Sequence, residues 1–149
     1  MRSLFSLNEL EIIPYLFYGN RWCQNMEEIE TDDAPIFDYP FSQATKHGDT
    51  IYVSGQVPVD PETGELVDGG VAEETEQIME NTAAILEAGG SSLDKLLKTQ
   101  VFLTDIDDFE EFNEVYAEYI SDPKPARSAV EVSDLAVDIA VEIDFIAEV

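Results

Sequence analysis

Apolar and polar residues recur with two different periods along residues 41–147, and the change of period separates strands from helices. Alternation with a period of two predicts strands over residues 41–47, 50–56, 96–104, 127–133 and 137–147. The last of these strands carries a continuous apolar face. The first two strands are joined by a turn and form a hairpin.

The segment over residues 70–88 follows a helical period instead. Its apolar residues Val71, Ile78 and Ile85 repeat every seven positions, and glutamates fill the opposite arc. The pair Gly89-Gly90 directly after this segment is typical of a helix C-terminus. These features predict a long amphipathic helix that lays one face on the sheet.

A second helix is predicted to begin near residue 107. Asp107 with Glu110, or Asp108 with Glu111, has the spacing of a capping box, and prolines at 123 and 125 end the segment. The side chains expected to form its buried stripe are Phe109, Phe112, Tyr116 and Ile120.

The resulting order, ββ-α-β-α-ββ, predicts an α+β fold whose mixed sheet is covered on one face by two helices. The other face is expected to mix aromatic, small and charged side chains, which suits a subunit interface containing clefts. The residues assigned to that face are Tyr52, Ser54, Gln56, Gln100, Phe102, Arg127, Ala129, Glu131, Ala140 and Glu142.

The chain is 149 residues long and carries 33 acidic against 7 basic residues, a net charge of -26. This charge repels nucleic-acid phosphates and anionic lipid, so neither partner is expected. Carboxylates are interleaved with the periodic apolar residues, which favours a folded domain with an acidic surface over a disordered acidic tail. We interpret this surface as an adaptation to a high-salt cytoplasm, where ions screen the repulsion.

Cys23 is the only cysteine and His47 the only histidine, so no disulfide or metal site is expected and a Ser-His-Asp triad is disfavoured. No apolar run reaches the ~20 residues of a membrane span, and a cytoplasmic protein is expected. Residues 1–25 hold two acidic and two basic residues and differ in composition from the rest. We interpret them as a non-native or disordered extension, with translation starting at Met26 before a single domain over residues 26–149.

Two segments resemble a known family. Residues 52–59 read YVSGQVPV, and residues 125–132 read PARSAVEV and are followed by VEI at 141–143. Together, and in this order, they resemble the signature segments of the Rid (YjgF/RidA) family. The resemblance extends over about residues 34–148 and includes Asn81 and Asn113.

The resemblance implies a chorismate-mutase-like (YjgF-like) fold and a homotrimer, in which the sheets surround a central barrel and the active sites lie at the subunit clefts. It also implies hydrolysis of reactive 2-imino acids, such as 2-iminobutanoate and 2-iminopropanoate, to 2-keto acids and ammonia, with no cofactor. The expected ligands are therefore small imino and keto acids.

The resemblance also implies roles for particular residues. Arg127 would hold the substrate carboxylate, because a guanidinium can make two parallel hydrogen bonds to it. Glu142 would hold the attacking water as a general base. Ser54 and Gly55 match cleft residues of the family. From composition alone, Arg127 could equally pair with a surface acid, Glu142 could be solvated, and Gly55 could mark a bulge.

Three further positions are expected to contact substrate. Asn113 matches an asparagine near the family's site. Phe41 stands where the best-studied deaminase branch has tyrosine, so a phenol hydroxyl is missing, and Ala129 stands where many members have cysteine. The loss at Phe41 makes an alternative credible: a non-catalytic protein of the same fold that binds a small carboxylate and regulates a partner. A ribonuclease is disfavoured by the charge.

Overall fold

Six strands form one mixed sheet in the computed structural model, which describes residues 25–149. The strands are β1 (Glu27–Ile29), β2 (Ala44–His47), β3 (Thr50–Gln56), β4 (Leu96–Leu103), β5 (Ala126–Glu131) and β6 (Val141–Glu148). The helices are α1 (Val71–Ala88) and α2 (Phe109–Tyr119). The order across the sheet is β1-β2-β3-β6-β4-β5, and only the β4–β5 pair is parallel. The proposed N-terminal extension lies outside the described residues, apart from Asn25.

Both helices lie on one face of the sheet, called here the covered face. Ile78 and Ile85 of α1 and Phe112 of α2 are fully buried with Ile143 and Phe145 of β6. Each helix buries its predicted apolar stripe, because only one face of each can be removed from water against the sheet. The predicted α+β architecture is confirmed. Neither helix in this part of the chain is long and apolar enough to cross a membrane.

The start of α2 differs from the prediction. A 3-10 turn at Ile106–Asp108 precedes the helix, and the side chain of Asp105 accepts a hydrogen bond from the Asp107 backbone N–H at 2.9 Å. Asp108 occupies the N-cap position of α2 and makes no capping hydrogen bond through its side chain. The predicted capping box is therefore wrong, because the chain is already turned and capped two residues earlier.

The first strand of the predicted hairpin begins at Ala44 rather than at 41, and two further strands differ from the prediction. The last strand begins at Val141 rather than at 137, because a carboxylate oxygen of Glu74 in α1 accepts hydrogen bonds from the backbone N–H groups of Ala140 at 2.7 Å and Val141 at 3.1 Å. β1 was not predicted, since three residues are too few to show a period. It pairs with β2 at the sheet edge.

Several residues assigned to the opposite, uncovered face lie on the covered face instead. Arg127 and Ala129 pair with Thr99 and Val101 of β4, which are buried under the helices, and Glu131 pairs in the same way with Leu103. The assignment was wrong because the facing of β5 is set by its register with β4, which alternation within β5 cannot reveal. Gln56 is buried because a bulge shifts the pairing of β3 with β6 between Val53 and Gln56.

The uncovered face keeps the other predicted members of the central strands. Phe102 pairs with Glu142 and Gln100 with Asp144, between neighbours that point into the core. Tyr52 and Val130 are large exposed apolar residues. This face therefore presents apolar and carboxylate side chains together, which is the predicted mixture, and its role as a subunit interface stays a prediction.

Candidate active site

Six of the seven predicted site residues lie in two separate hollows of the surface, and Ala129 lines neither of them. The first, called here the glutamate hollow, has a volume of about 320 Å³. It lies beside the bulge of β3, at the end of the sheet where β6 begins. Its lining residues are Phe37, Tyr39, Phe41, Ser54, Gly55, Val57, Ala136, Val137 and Glu142. The structure thus brings together four of the predicted residues: Phe41, Ser54, Gly55 and Glu142.

Gly55 makes room for the carboxyl group of Glu142. A Cβ atom added at Gly55 would overlap Oε1 of Glu142 and would lie 3.0 Å from its Cδ and 3.1 Å from Oδ1 of Asp144. The backbone of the bulge therefore touches both carboxyl groups, which only a glycine permits at this spacing. The bulge expected as one interpretation of Gly55 is present, and it shapes the glutamate hollow.

Ser54 is fixed by two hydrogen bonds to the preceding segment. Its backbone N–H donates to the carbonyl of Gln43 at 3.0 Å, and its hydroxyl donates to the carbonyl of Ser42 at 2.6 Å. The hydroxyl proton is thus engaged, and the oxygen can offer a lone pair as an acceptor. Ser54 is consequently suited to accept a hydrogen bond from water or from another donor in the hollow.

Two neighbouring carboxyl groups define the electrostatics of the glutamate hollow. Burial raises the pKa of Glu142 above its ordinary value, and the charge of Asp144 raises it further. Burial also raises the pKa of Asp144, opposed by a 3.4 Å hydrogen bond from the Gln100 amide. A carboxylate with a raised pKa is a stronger base, so Glu142 is better able to take a proton from water than an exposed glutamate.

The second hollow, called here the arginine hollow, has a volume of about 330 Å³ and lies between α2 and the segment that leads into β5. Its lining residues are Asn113, Tyr116, Ala117, Ile120, Lys124, Pro125 and Arg127. Residues 26–149 hold five basic residues, since Arg2 and Arg21 account for two of the seven. Two of these five line this one hollow, which makes it a favourable place for a small anion.

Three aromatic rings of α2 hold the guanidinium of Arg127. Its Cζ atom lies 5.0 Å from the ring centroid of Tyr116 and 5.6 Å from those of Phe109 and Phe112. The Tyr116 hydroxyl is in turn hydrogen-bonded to the hydroxyl of Thr99 at 3.0 Å. Cation–π contacts orient the guanidinium without consuming its N–H donors, which can then bind a carboxylate.

The structure does not bring Arg127 and Glu142 together within one chain. Arg127 lies on the covered face, at the sheet edge formed by β5, whereas Glu142 lies on the uncovered face of β6. Asn113 accompanies Arg127, and Ala129 packs partly buried against the core. Apart from Ala129, the predicted residues therefore form two separate groups, one in each hollow, which are called here half-sites.

Some residues of these half-sites were missed from the sequence. Phe37 and Tyr39 line the glutamate hollow from an irregular segment, where no period signals their position. Val137 also lines the hollow, but it was wrongly predicted on the apolar face of the last strand, which begins only at Val141. The aromatic residues around Arg127 were predicted as a buried helical stripe, but their contact with the arginine depends on the β4–β5 register. Asp144 lies two residues after Glu142 in β6, so alternation alone could have placed both on one face.

The fold and these half-sites define a class of small α+β proteins with a YjgF-like sheet. A family model described as Endoribonuclease L-PSP matches residues 31–149. A RutC family protein from Pyrococcus horikoshii is 50% identical over 121 residues, which cover 81% of this chain and 96% of the relative. The chain therefore belongs to the Rid (YjgF/RidA) family.

Two further comparisons agree with this membership. The human protein named 2-iminobutanoate/2-iminopropanoate deaminase is 44% identical over 119 residues, which cover 80% of this chain and 87% of that protein. The crystal structure of RidA from the Antarctic bacterium Psychrobacter sp. PAMC 21119 superposes on this structure with a TM-score of 0.79, at 46% sequence identity. The match covers 83% of this chain and 99% of the RidA chain.

Proposed function

We propose that this protein hydrolyses reactive 2-imino acids, of the 2-iminobutanoate and 2-iminopropanoate type, to 2-keto acids and ammonia. Support comes from the family and from the name of its human relative. The observation that carries the proposal is that the predicted carboxylate-binding and proton-accepting residues lie in two different hollows. One hollow offers an anion-binding arginine, and the other offers a buried carboxylate of raised pKa.

A 2-imino acid needs both hollows at once. We infer a homotrimer in which the arginine hollow of one copy meets the glutamate hollow of the next, because Arg127 and Glu142 lie on opposite faces of one chain. A closed cyclic assembly makes such a contact once per subunit. Tyr52 and Val130, exposed on the uncovered face, would become buried between the copies.

The reaction then follows from the two half-sites. Arg127 binds the carboxylate of the protonated imine through two N–H donors. Glu142 removes a proton from a water molecule as its oxygen bonds to the imine carbon, which gives a carbinolamine. Glu142 then gives this proton to the nitrogen, and the C–N bond breaks as ammonia leaves. Glu142 accepts the proton that the hydroxyl loses as it becomes the carbonyl of the keto acid, and ammonia takes up this proton to form ammonium. The net change consumes one water molecule.

A direct assay couples the protein to a threonine dehydratase, which releases 2-iminobutanoate. Added protein should speed the appearance of 2-oxobutanoate. We propose a cytoplasmic, high-salt setting for the protein, so the assay is run in molar KCl as well as at low salt. A dehydratase that is equally active at both salt concentrations serves as the reporter. No acceleration at either concentration would contradict the deaminase proposal.

Subunit complementation tests the shared site. Arg127→Ala and Glu142→Gln chains should each be strongly impaired alone at substrate concentrations below KM. When the two are co-expressed with different affinity tags, a site formed by Arg127 of one copy and Glu142 of the other is intact. Random mixing in a cyclic trimer restores about a quarter of the sites. Doubly tagged assemblies without recovered activity would show that the site is not shared between chains.

A second function is favoured by one observation. Phe41 contributes a ring without a hydroxyl to the glutamate hollow, and the Ser54 hydroxyl proton is already bound to Ser42. Fewer groups are then free to handle protons, so a carboxylate-binding regulator remains the alternative. It predicts thermal stabilisation by 2-keto acids together with no acceleration of the coupled reaction.

A further inference from the structure

The glutamate hollow is apolar along most of its wall. Phe37, Tyr39, Phe41, Val57 and Val137 form that wall. The polar groups of the hollow, from Ser54 and Glu142, lie at the end formed by the bulge of β3. A substrate whose reacting carbon faces Glu142 would therefore direct its side chain along the apolar wall.

The aromatic part of this wall is organised by its own contacts. The Phe41 ring lies 6.2 Å from the ring of Phe37 and 6.2 Å from that of Tyr39, stacked on the latter at 18°. The buried amide of Gln43 donates to the carbonyls of Ala34 at 3.1 Å and Pro35 at 3.0 Å, just ahead of Phe37. The segment that carries the rings is thus tied to the sheet, so the wall is formed before substrate binds.

The hollow is also large for the smallest imino acids. In a single chain its volume is about 320 Å³, open on the side that the arginine hollow of the next copy would close, and pockets that hold drug-sized ligands measure roughly 300–1,000 Å³. A methyl or ethyl side chain would leave most of the wall without contact. Wall atoms that face empty space lose the van der Waals attraction that a larger side chain would provide. Acidic side chains are disfavoured by Glu142 and by the net charge of -26.

We propose that this protein prefers 2-imino acids with large apolar side chains, of the isobutyl, thioether or benzyl type, and that Phe37, Tyr39 and Phe41 determine this preference. The inference rests on the proposed deaminase function and names its substrate class. A single methylene in an apolar pocket is worth about tenfold or more in kcat/KM. We therefore expect a preference of at least about tenfold for leucine- and phenylalanine-derived imines over the alanine-derived one.

The imines are generated in place by an L-amino-acid oxidase with catalase, from alanine, leucine, methionine and phenylalanine. Hydrolysis is measured as the loss of the semicarbazone that forms when semicarbazide traps the imine. Phe41→Ala should reduce the preference for the large imines at least threefold. Ile36→Ala is the matched control, because Ile36 is also 51% exposed and lies on the same segment but does not line the glutamate hollow. It should leave the preference unchanged.

A binding measurement with the product 2-keto acids distinguishes failure of the side-chain preference from failure of the deaminase proposal. Calorimetry with methyl, isobutyl and benzyl 2-keto acids measures the same preference without turnover. Tighter binding of the larger acids, lost in Phe41→Ala, supports the inference even if no imine is hydrolysed. Hydrolysis of all imines at equal kcat/KM, with equal keto-acid affinities, would overturn the inference and leave the deaminase proposal standing.

Discussion

The two hollows hold their charged groups in opposite ways. In the arginine hollow, three aromatic rings surround and orient the guanidinium cation of Arg127. In the glutamate hollow, burial and a neighbouring carboxyl group make the ionised form of Glu142 less favourable. The first arrangement suits a group that binds a fixed charge, and the second suits a group that exchanges a proton.

This contrast assigns different kinetic effects to the two half-sites. Loss of a proton-transfer group lowers kcat, because it acts mainly in the transition state. Loss of a carboxylate anchor weakens ground-state binding and raises KM as well. Substitutions in the two hollows should therefore separate the two kinetic constants.

Glu142→Gln should give the largest effect. The amide keeps the shape of the side chain but cannot accept a proton from water, so kcat should fall on the order of 100- to 10,000-fold while KM changes little. Glu148→Gln is the matched control, because Glu148 lies in the same strand and is exposed. The coupled dehydratase assay measures both variants. Full activity of Glu142→Gln would exclude this residue as the base.

Arg127→Ala should give the next largest effect. Removing one partner of a desolvated charge pair costs about 2–5 kcal/mol, which corresponds to a loss of roughly 30- to 5,000-fold in kcat/KM, mostly through KM. Arg127→Lys keeps the charge but not the two-pronged donor geometry, so it should recover only part of the loss. If Arg127→Ala lowered kcat and left KM unchanged, the arginine would not be the carboxylate anchor.

The covered face could be predicted from the sequence, because burial there imposes a period on every element that contributes to it. Val71, Ile78 and Ile85 of α1 and Ile143 and Phe145 of β6 repeat with the spacing of their elements. Each residue is individually constrained by packing. Together with the order of strands and helices along the chain, this burial predicts one arrangement of the fold, in which both helices lie on the same face of the sheet.

The half-sites could be predicted only as individual residues. Arg127, Glu142 and Ser54 were singled out through the family resemblance, but their placement depends on pairings that leave no local pattern. The β4–β5 register places Arg127 on the covered face, and the bulge at Gly55 places Glu142 against the backbone. Register and bulges are tertiary features, so they could not be predicted from periodicity within one strand.

Gly55→Ala should have an intermediate effect, confined to the glutamate hollow. The new Cβ would displace the Glu142 carboxyl group, so kcat should fall. A misplacement of 1 Å can cost about 100-fold, and we expect a smaller loss than that. The crowding should also lower the free energy of unfolding by about 1–3 kcal/mol. Gly70→Ala is the control, since a Cβ there meets nothing within 4 Å. Equal effects of the two substitutions on kcat would show that the close approach at Gly55 is unimportant.

Asp144→Asn should have the smallest effect, visible mainly as a change in pH dependence. Asp144 is the second cause, after burial, of the raised pKa of Glu142, so its neutralisation should lower that pKa while leaving it above the ordinary value. A general base must be ionised, and its activity is lost as the pH falls through its pKa. The acid limb of the kcat/KM profile should therefore move to lower pH in Asp144→Asn.

The stability of the folded chain should respond to pH through the same pair of groups. Both carboxyl groups have raised pKa values in the folded state, so the folded chain binds protons more tightly than the unfolded chain at these positions. Their contribution to the free energy of unfolding should rise as the pH falls through the folded pKa values, and it should be lost again as the pH rises. Asp144→Asn removes one of the two groups, so urea titrations across this window should show a flatter dependence than the wild type. An unchanged acid limb and an unchanged slope would mean that Asp144 does not influence Glu142.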